Sequence, residues 1–153
     1  MARQYWLMKS EPYVYSIDDL ERDGTTFWDG VRNYSARNLM RDKMKIGDRV
    51  LYYHSNANPP GVVGIAEVVK ESYPDHTQFD EKSKYHDPKS TEEKPRWFMV
   101  DIAFVEKLPR AVTLPEIKDT AALAEMVLVN RSRLSVQPVK KSEYDLILKM
   151  ARS

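Results

Sequence analysis

The sequence predicts an α+β fold: an antiparallel sheet bent into a small barrel, accompanied by several short helices. Three observations predict it. Long β-prone runs follow one another in the order strand, turn, strand, long loop, strand, the order of a sheet that curls on itself. Capped helical segments lie before and after these runs. At 153 residues the chain is expected to form one domain, 1–153, that buries about 70% of the surface its unfolded form exposes, with no need of staples.

Taken in order, Tyr5-Trp6-Leu7-Met8 is β-prone and expected to be a strand buried on both faces. Ser16 has the spacing of a helix N-cap, with Asp19 three residues on to offset the exposed amides, and Gly24 closes that short helix. A second helix is expected from Ser35, which would be its cap, with Ala36, Leu39, Met40 and Met44 near its apolar side. Gly47-Asp48 turns the chain into the strand Arg49 to His54. Asn58-Pro59-Pro60-Gly61 is a turn, followed by the strand Val62 to Val69. Trp97 to Val105 is a third long strand.

Thr113-Leu114-Pro115-Glu116 has the form of a capping box with proline in the first turn, so a short helix is expected there and another near Ala121 to Val127. Leu134 to Val139 alternates as a half-buried strand does. Ser142 to Met150 is expected to be a helix with Tyr144, Ile147 and Leu148 facing inward. The outlier is the stretch from Tyr73 to Pro95, rich in charge and proline and poor in aliphatics. A loop of that length is either a mobile surface excursion or a lid over a ligand site.

Composition excludes several classes. There is no cysteine, so disulfides, thiol nucleophiles and thiolate zinc sites are out. His54, His76 and His86 match no metal-ligand spacing, and no metal or cofactor is expected. No P-loop, dinucleotide fingerprint or nucleophile elbow is present. No apolar run approaches the roughly 18 residues of a membrane span, and no signal stretch precedes Tyr5, so a soluble intracellular protein is expected, cytoplasmic, or nuclear in a eukaryote. A net charge of +1 argues against a general electrostatic coat for nucleic acid. The charge is uneven, however: Arg32, Arg37, Arg41, Lys43, Lys45 and Arg49 outweigh Asp42 and Asp48, which describes either a basic face or ordinary solvated surfaces.

The segment from Phe27 to Asn38 carries the functional reading. Trp28 is either a platform for a flat heteroaromatic ring, worth about 1–3 kcal/mol per stacked base, or a core residue. Asp29-Gly30 and Asn33 mark irregular chain, where functional side chains gather. Asn33 offers a donor and an acceptor for a base edge, or else caps a turn or helix; with Ser35 as the cap, Asn33 is left freer. Lys9-Ser10-Glu11-Pro12 ends the first strand abruptly, presenting a charge and a hydroxyl to a ligand or merely to solvent. Tyr53-His54-Ser55-Asn56 ends another strand in polar groups, with His54 read as either structural or ligand-facing. Polar residues at two strand ends beside an aromatic loop suit a pocket at one rim of a barrel. Arg131 and Arg133 share a face if their segment is extended, and either grip phosphate or point to solvent.

Several of these runs together resemble the EVE domain family: Lys9-Ser10-Glu11-Pro12, Trp28-Asp29-Gly30-Val31-Arg32-Asn33-Tyr34, Gly47-Asp48 before Tyr52-Tyr53-His54-Ser55, Tyr73-Pro74-Asp75, Arg96-Trp97, and Asn130-Arg131-Ser132-Arg133-Leu134-Ser135-Val136-Gln137-Pro138-Val139. The resemblance runs from about Tyr5 to Lys149. It implies a PUA-like fold, a mixed, curved β-barrel with flanking helices, and kinship to YTH domains. It also implies binding of a modified base in nucleic acid, with modified cytosine in DNA ahead of a methylated base in RNA. By matching motif, Lys9, Ser10, Trp28, Asn33, Tyr34, His54 and Ser55 would line or rim the base pocket, with Arg131 and Arg133 near its mouth.

The expected function is therefore a non-catalytic, monomeric module that stacks one modified base on Trp28, so that Trp28→Ala would abolish selectivity in a protein that still folds. The rival readings are an enzyme acting on a modified nucleotide through His54 and an acid such as Asp29, and a scaffold that binds a peptide.

Overall fold

The computed structural model describes residues 3–131 and 133–153; Ser132, in the Arg131–Arg133 run, lies outside the described residues. Six strands form one sheet. In chain order the elements are β1 (Tyr5–Ser10), α1 (Ile17–Asp23), β2 (Thr25–Phe27), α2 (Tyr34–Asp42), β3 (Arg49–His54), β4 (Gly61–Pro74), β5 (Phe98–Thr113), α3 (Leu114–Lys118), α4 (Val127–Asn130), β6 (Val136–Val139) and α5 (Lys141–Ala151). Single 3-10 turns occupy His76–Phe79 and Ala121–Leu123. The strand order is β2-β5-β4-β3-β1-β6.

The sheet is mixed. β1 runs parallel to β3 and antiparallel to β6, while β3–β4, β4–β5 and β2–β5 are antiparallel. The antiparallel sheet expected from the residues alone is thus corrected at β1. A strand cannot pair with its chain successor through a tight turn when a helix intervenes, and β1 leads into α1. The barrel is also looser than expected: among the described residues no ladder joins the outer strands β2 and β6, so the sheet does not close. Four irregularities in the β4–β5 register bend those long strands.

Period-2 alternation splits the core between the two sheet faces. Trp6, Met8, Val50 and Tyr52 pack on one side with Ile17, Leu20, Met40 and Trp28. Leu7, Leu51 and Tyr53 pack on the other with Ile117, Leu123, Tyr144 and Ile147. Helices α1 and α2 therefore cover one face and α3 and α5 the other. The expected capping boxes hold: Ser16 with Asp19 opens α1 and Thr113 with Glu116 opens α3.

Where expectation and structure part, the reason is local. β2 lacks an alternating apolar pattern, being exposed at both ends, and borrows its pairing from β5. β5 continues to Thr113 through a charged stretch that carries little hydrophobic signal. Trp97 falls just outside the strand because Gln78 takes its amide, at 3.0 Å, and its carbonyl, at 2.8 Å.

Candidate functional site

The parallel pairing of β1 with β3 puts their C-terminal ends side by side, with Ser10 opposite His54. The Ser55 amide donates to the Ser10 carbonyl at 3.0 Å, and the Lys9 amide to the Ser135 carbonyl just before β6, also at 3.0 Å. A cleft of about 590 Å³ opens at this rim. Its walls are the ends of β1 and β3 (Lys9, Ser10, Ser55, Asn56), the β1–α1 connection (Glu11, Val14, Tyr15), the segment from Thr26 to Arg32, and Lys84, Tyr85 and Ser135. That volume accommodates a small flat ligand.

Trp28 follows β2, anchored by its amide donating to the Val100 carbonyl at 2.8 Å. The indole reaches the cleft but is only 8% exposed, and it packs edge-on against Tyr52 with ring centroids 5.5 Å apart. It is core and wall at once. Next to it, Gly30 holds a positive φ of 79°, and a Cβ there would come within 2.6 Å of the Tyr85 ring. Glycine is needed because Tyr85 lies directly on this backbone.

Asp75 organises that contact. It is fully buried, and its carboxylate accepts from the Gly30 amide at 2.7 Å, from Arg32 Nη1 at 3.1 Å, and from the amide and hydroxyl of Thr77. Burial pushes its carboxyl up, but the hydrogen bonds from Thr77, Gly30 and Arg32 outweigh it and hold the group below its ordinary value. Arg32 then reaches on to the Tyr85 carbonyl, at 2.6 Å from Nη2. The excursion between β4 and β5 is stapled at its base by the buried Gln78, which also binds the Arg96 amide at 3.0 Å. The stretch that the sequence leaves as either a surface excursion or a lid is a hydrogen-bonded wall of the cleft.

Other predicted residues lie elsewhere or are differently occupied. Asn33, not Ser35, caps α2: its Oδ1 accepts from the Ala36 amide at 3.0 Å. The expectation that Asn33 stays free for a base edge is corrected on that oxygen. Asn33→Ala should cost about 1 kcal/mol in urea unfolding, with Asn33→Ser retaining most of it. Tyr34 is half exposed on the outer surface, stacked on Trp97 at 4.8 Å, with the Arg37 guanidinium 4.7 Å from its ring. It does not line the cleft, contrary to the position the motif implies.

His54 is turned to structure as well. Its Nε2 accepts from the Ile17 amide at 3.1 Å, at the first turn of α1, and burial pulls its pKa down, consistent with a neutral ring. It is absent from the cleft wall, so the proton transfer through His54 that the enzymatic reading needs has no free Nε2 lone pair. Lys9 is half-buried, lies 5.7 Å from the Tyr53 ring, and is held below the ordinary lysine value by burial. Arg131 and Arg133 line a second, shallower depression with Asn33, Asn130 and Leu134. Its Asn33 and Leu134 are chain neighbours of Arg32 and Ser135, which line the cleft. Among the described residues neither arginine forms an ion pair, whereas Arg32, Arg41 and Arg49 do.

The structure thus brings Lys9, Ser10, Trp28 and Ser55 together around one cleft and leaves Tyr34 and His54 out of it. It adds Tyr15, Phe27, Asp29, Lys84 and Tyr85. Tyr15, whose hydroxyl is pushed up to about 12 by burial and Asp23, closes one side. The one sequence signal for Tyr85 is an aromatic residue inside a long charged excursion.

A family model, EVE domain, matches residues 4–150 of the chain. Thymocyte nuclear protein 1 of Gallus gallus is 46% identical over 165 residues, covering 95% of this chain and 68% of that protein. Among solved structures, a hypothetical protein from Leishmania major is 53% identical with a TM-score of 0.95, over 99% of this chain and 96% of that one. Human THYN1 in complex with 5-methylcytosine-containing DNA is 43% identical with a TM-score of 0.93, over 98% of each chain.

Proposed function

This chain belongs to the EVE domain family, and on that footing we propose that it is a reader of modified cytosine in DNA. The observation that carries the proposal is its close likeness, over nearly the whole chain, to human THYN1 solved with 5-methylcytosine-containing DNA. The rim cleft supports it. One pyrimidine has room there, Trp28 and Tyr85 supply aromatic surface, and Lys9, Ser10 and Ser55 supply donors. Extruding a base from a duplex costs a few kcal/mol, which an enclosed site can repay and an open surface cannot. We propose that Arg131 and Arg133 meet phosphate in the adjoining depression, and that the chain acts as one non-catalytic domain, a monomer, in the nucleus or elsewhere inside the cell.

The test is a titration of oligonucleotides that carry cytosine, 5-methylcytosine or N6-methyladenine, as DNA and as RNA, at two salt concentrations. The expected result is a preference for modified cytosine in DNA that persists at both salts. Equal affinity for modified and unmodified strands would overturn the reading. Arg131→Ala and Arg133→Ala should each weaken binding uniformly across sequences and lower the salt slope by about 1, leaving the preference intact. Loss of preference in either variant would place that arginine at the base instead.

A further inference from the structure

We propose that Asp29 selects the base edge. Its carboxylate accepts the 4-amino group of a cytosine held in the cleft and rejects the 4-oxo group of thymine or uracil. The inference rests on the reading of the cleft as a base pocket and adds which residue decides what enters it.

Asp29 directly follows Trp28 and lines the same cleft. Among the described residues its carboxylate has no side-chain hydrogen-bond partner and no ion pair within 4.0 Å, which sets it apart from the neighbouring carboxylates Asp75 and Glu11. Asp75 beside it is filled by Gly30, Arg32 and Thr77. The nearby cation, Arg32, is spent on Asp75, Thr77 and the Tyr85 carbonyl. The other carboxylate on the cleft wall, Glu11, accepts from Tyr13 and from Asn56. Both donors to Glu11 sit on its Oε2, whereas Asp29 is, among the described residues, the carboxylate of the cleft wall that accepts from no other side chain.

Partial burial makes the vacancy consequential. A carboxylate drawn out of water without a donor is penalised, and a ligand N–H that satisfies it recovers that penalty. Burial and then the charge of Asp75 push the Asp29 carboxyl above its ordinary value, outweighing its own backbone amide and the charges of His76 and Arg32. The 4-amino group of cytosine is such a donor, as in the carboxylate–cytosine pairing of duplex readout. Thymine offers an oxygen at the same position, which would face the carboxylate lone pairs.

5-Methylcytosine and thymine share ring, methyl group and stacking surface, so comparing them isolates the edge. The native protein should bind a strand carrying 5-methylcytosine at least about 10-fold more tightly than the same strand carrying thymine. In Asp29→Asn, whose carboxamide can donate to the 4-oxo group, and in Asp29→Ala, the ratio should fall to within about 3-fold of unity. A second measurement needs no variant: the native protein should bind 5-methylpyrimidin-2-one, which lacks the 4-amino group, about as weakly as thymine. A ratio unchanged in both variants, or tight binding of the amino-less base, would overturn the role of Asp29 while leaving the reader intact. If the native protein ignored cytosine methylation altogether, the reading of the cleft would fall, and this inference with it.

Discussion

Asp75→Ala should destabilise the protein by about 3 kcal/mol or more in urea unfolding and should abolish selective base binding in the fraction that remains folded. The carboxylate is fully buried and holds the Gly30 amide, Arg32 and Thr77 together. Its removal leaves a buried amide and a largely buried guanidinium without their acceptor, and that loss, more than the lost attraction, sets the size of the effect. Arg32 would then no longer be fixed where it holds the Tyr85 carbonyl, and Tyr85 would leave Gly30. A loss below about 1 kcal/mol would mean that Arg32 and Gly30 find other partners. The pH dependence has a definite sign. Because the folded carboxyl is held below its ordinary value, its stabilisation is complete above the unfolded value of about 3.9 and disappears as pH falls through the lower folded one.

Trp28→Ala should also lose selective binding, and it should cost about 3–5 kcal/mol of stability as well. The sequence alone leads to a variant that still folds; the 8% exposure of Trp28 and its contact with Tyr52 add a loss of stability to that expectation. An indole so buried leaves a cavity beneath the cleft when it is cut back. The two effects separate in Trp28→Phe, which fills most of the volume while shrinking the stacking surface. Unfolding measurements should show a smaller loss for Phe than for Ala, while oligonucleotide titration shows weakened preference in both. If Trp28→Phe kept the full preference for a modified strand, the base would be stacked on another wall, with Tyr85 the next aromatic to test.

The readable parts of this protein are those written in short-range chemistry. The boxes at Ser16–Asp19 and Thr113–Glu116 are legible because a cap and its partner lie three residues apart. The Tyr5–Met8 and Arg49–His54 runs are legible because burial on both faces demands continuous β-prone residues. At α2 the same logic misled by two residues. Asn33 and Ser35 are both good caps, and the chain uses Asn33, whose extended backbone directs its side chain at the Ala36 amide. The aromatic loop and the polar strand ends brought Trp28, Lys9, Ser10 and Ser55 to notice, and the family motifs repeated them. They could not separate residues at the cleft from neighbours that support the fold, since His54 and Tyr34 sit in the same runs and face elsewhere.

The sequence by itself determined every strand but β2, most helices and the polar character of two strand ends, because caps, alternation and turns act within a few residues. Only the tertiary structure decided that those two ends meet. β1 and β3 pair in parallel across 38 residues of intervening chain, from Ser10 to Arg49, and parallel pairing alone sets two C-terminal ends at one rim. It likewise decided that Asp75 lies under Gly30 and that Tyr85 closes the cleft, contacts between residues 45 to 55 apart in the chain. Nothing local encodes such contacts: they are chosen by which buried donors must find acceptors once the sheet has formed.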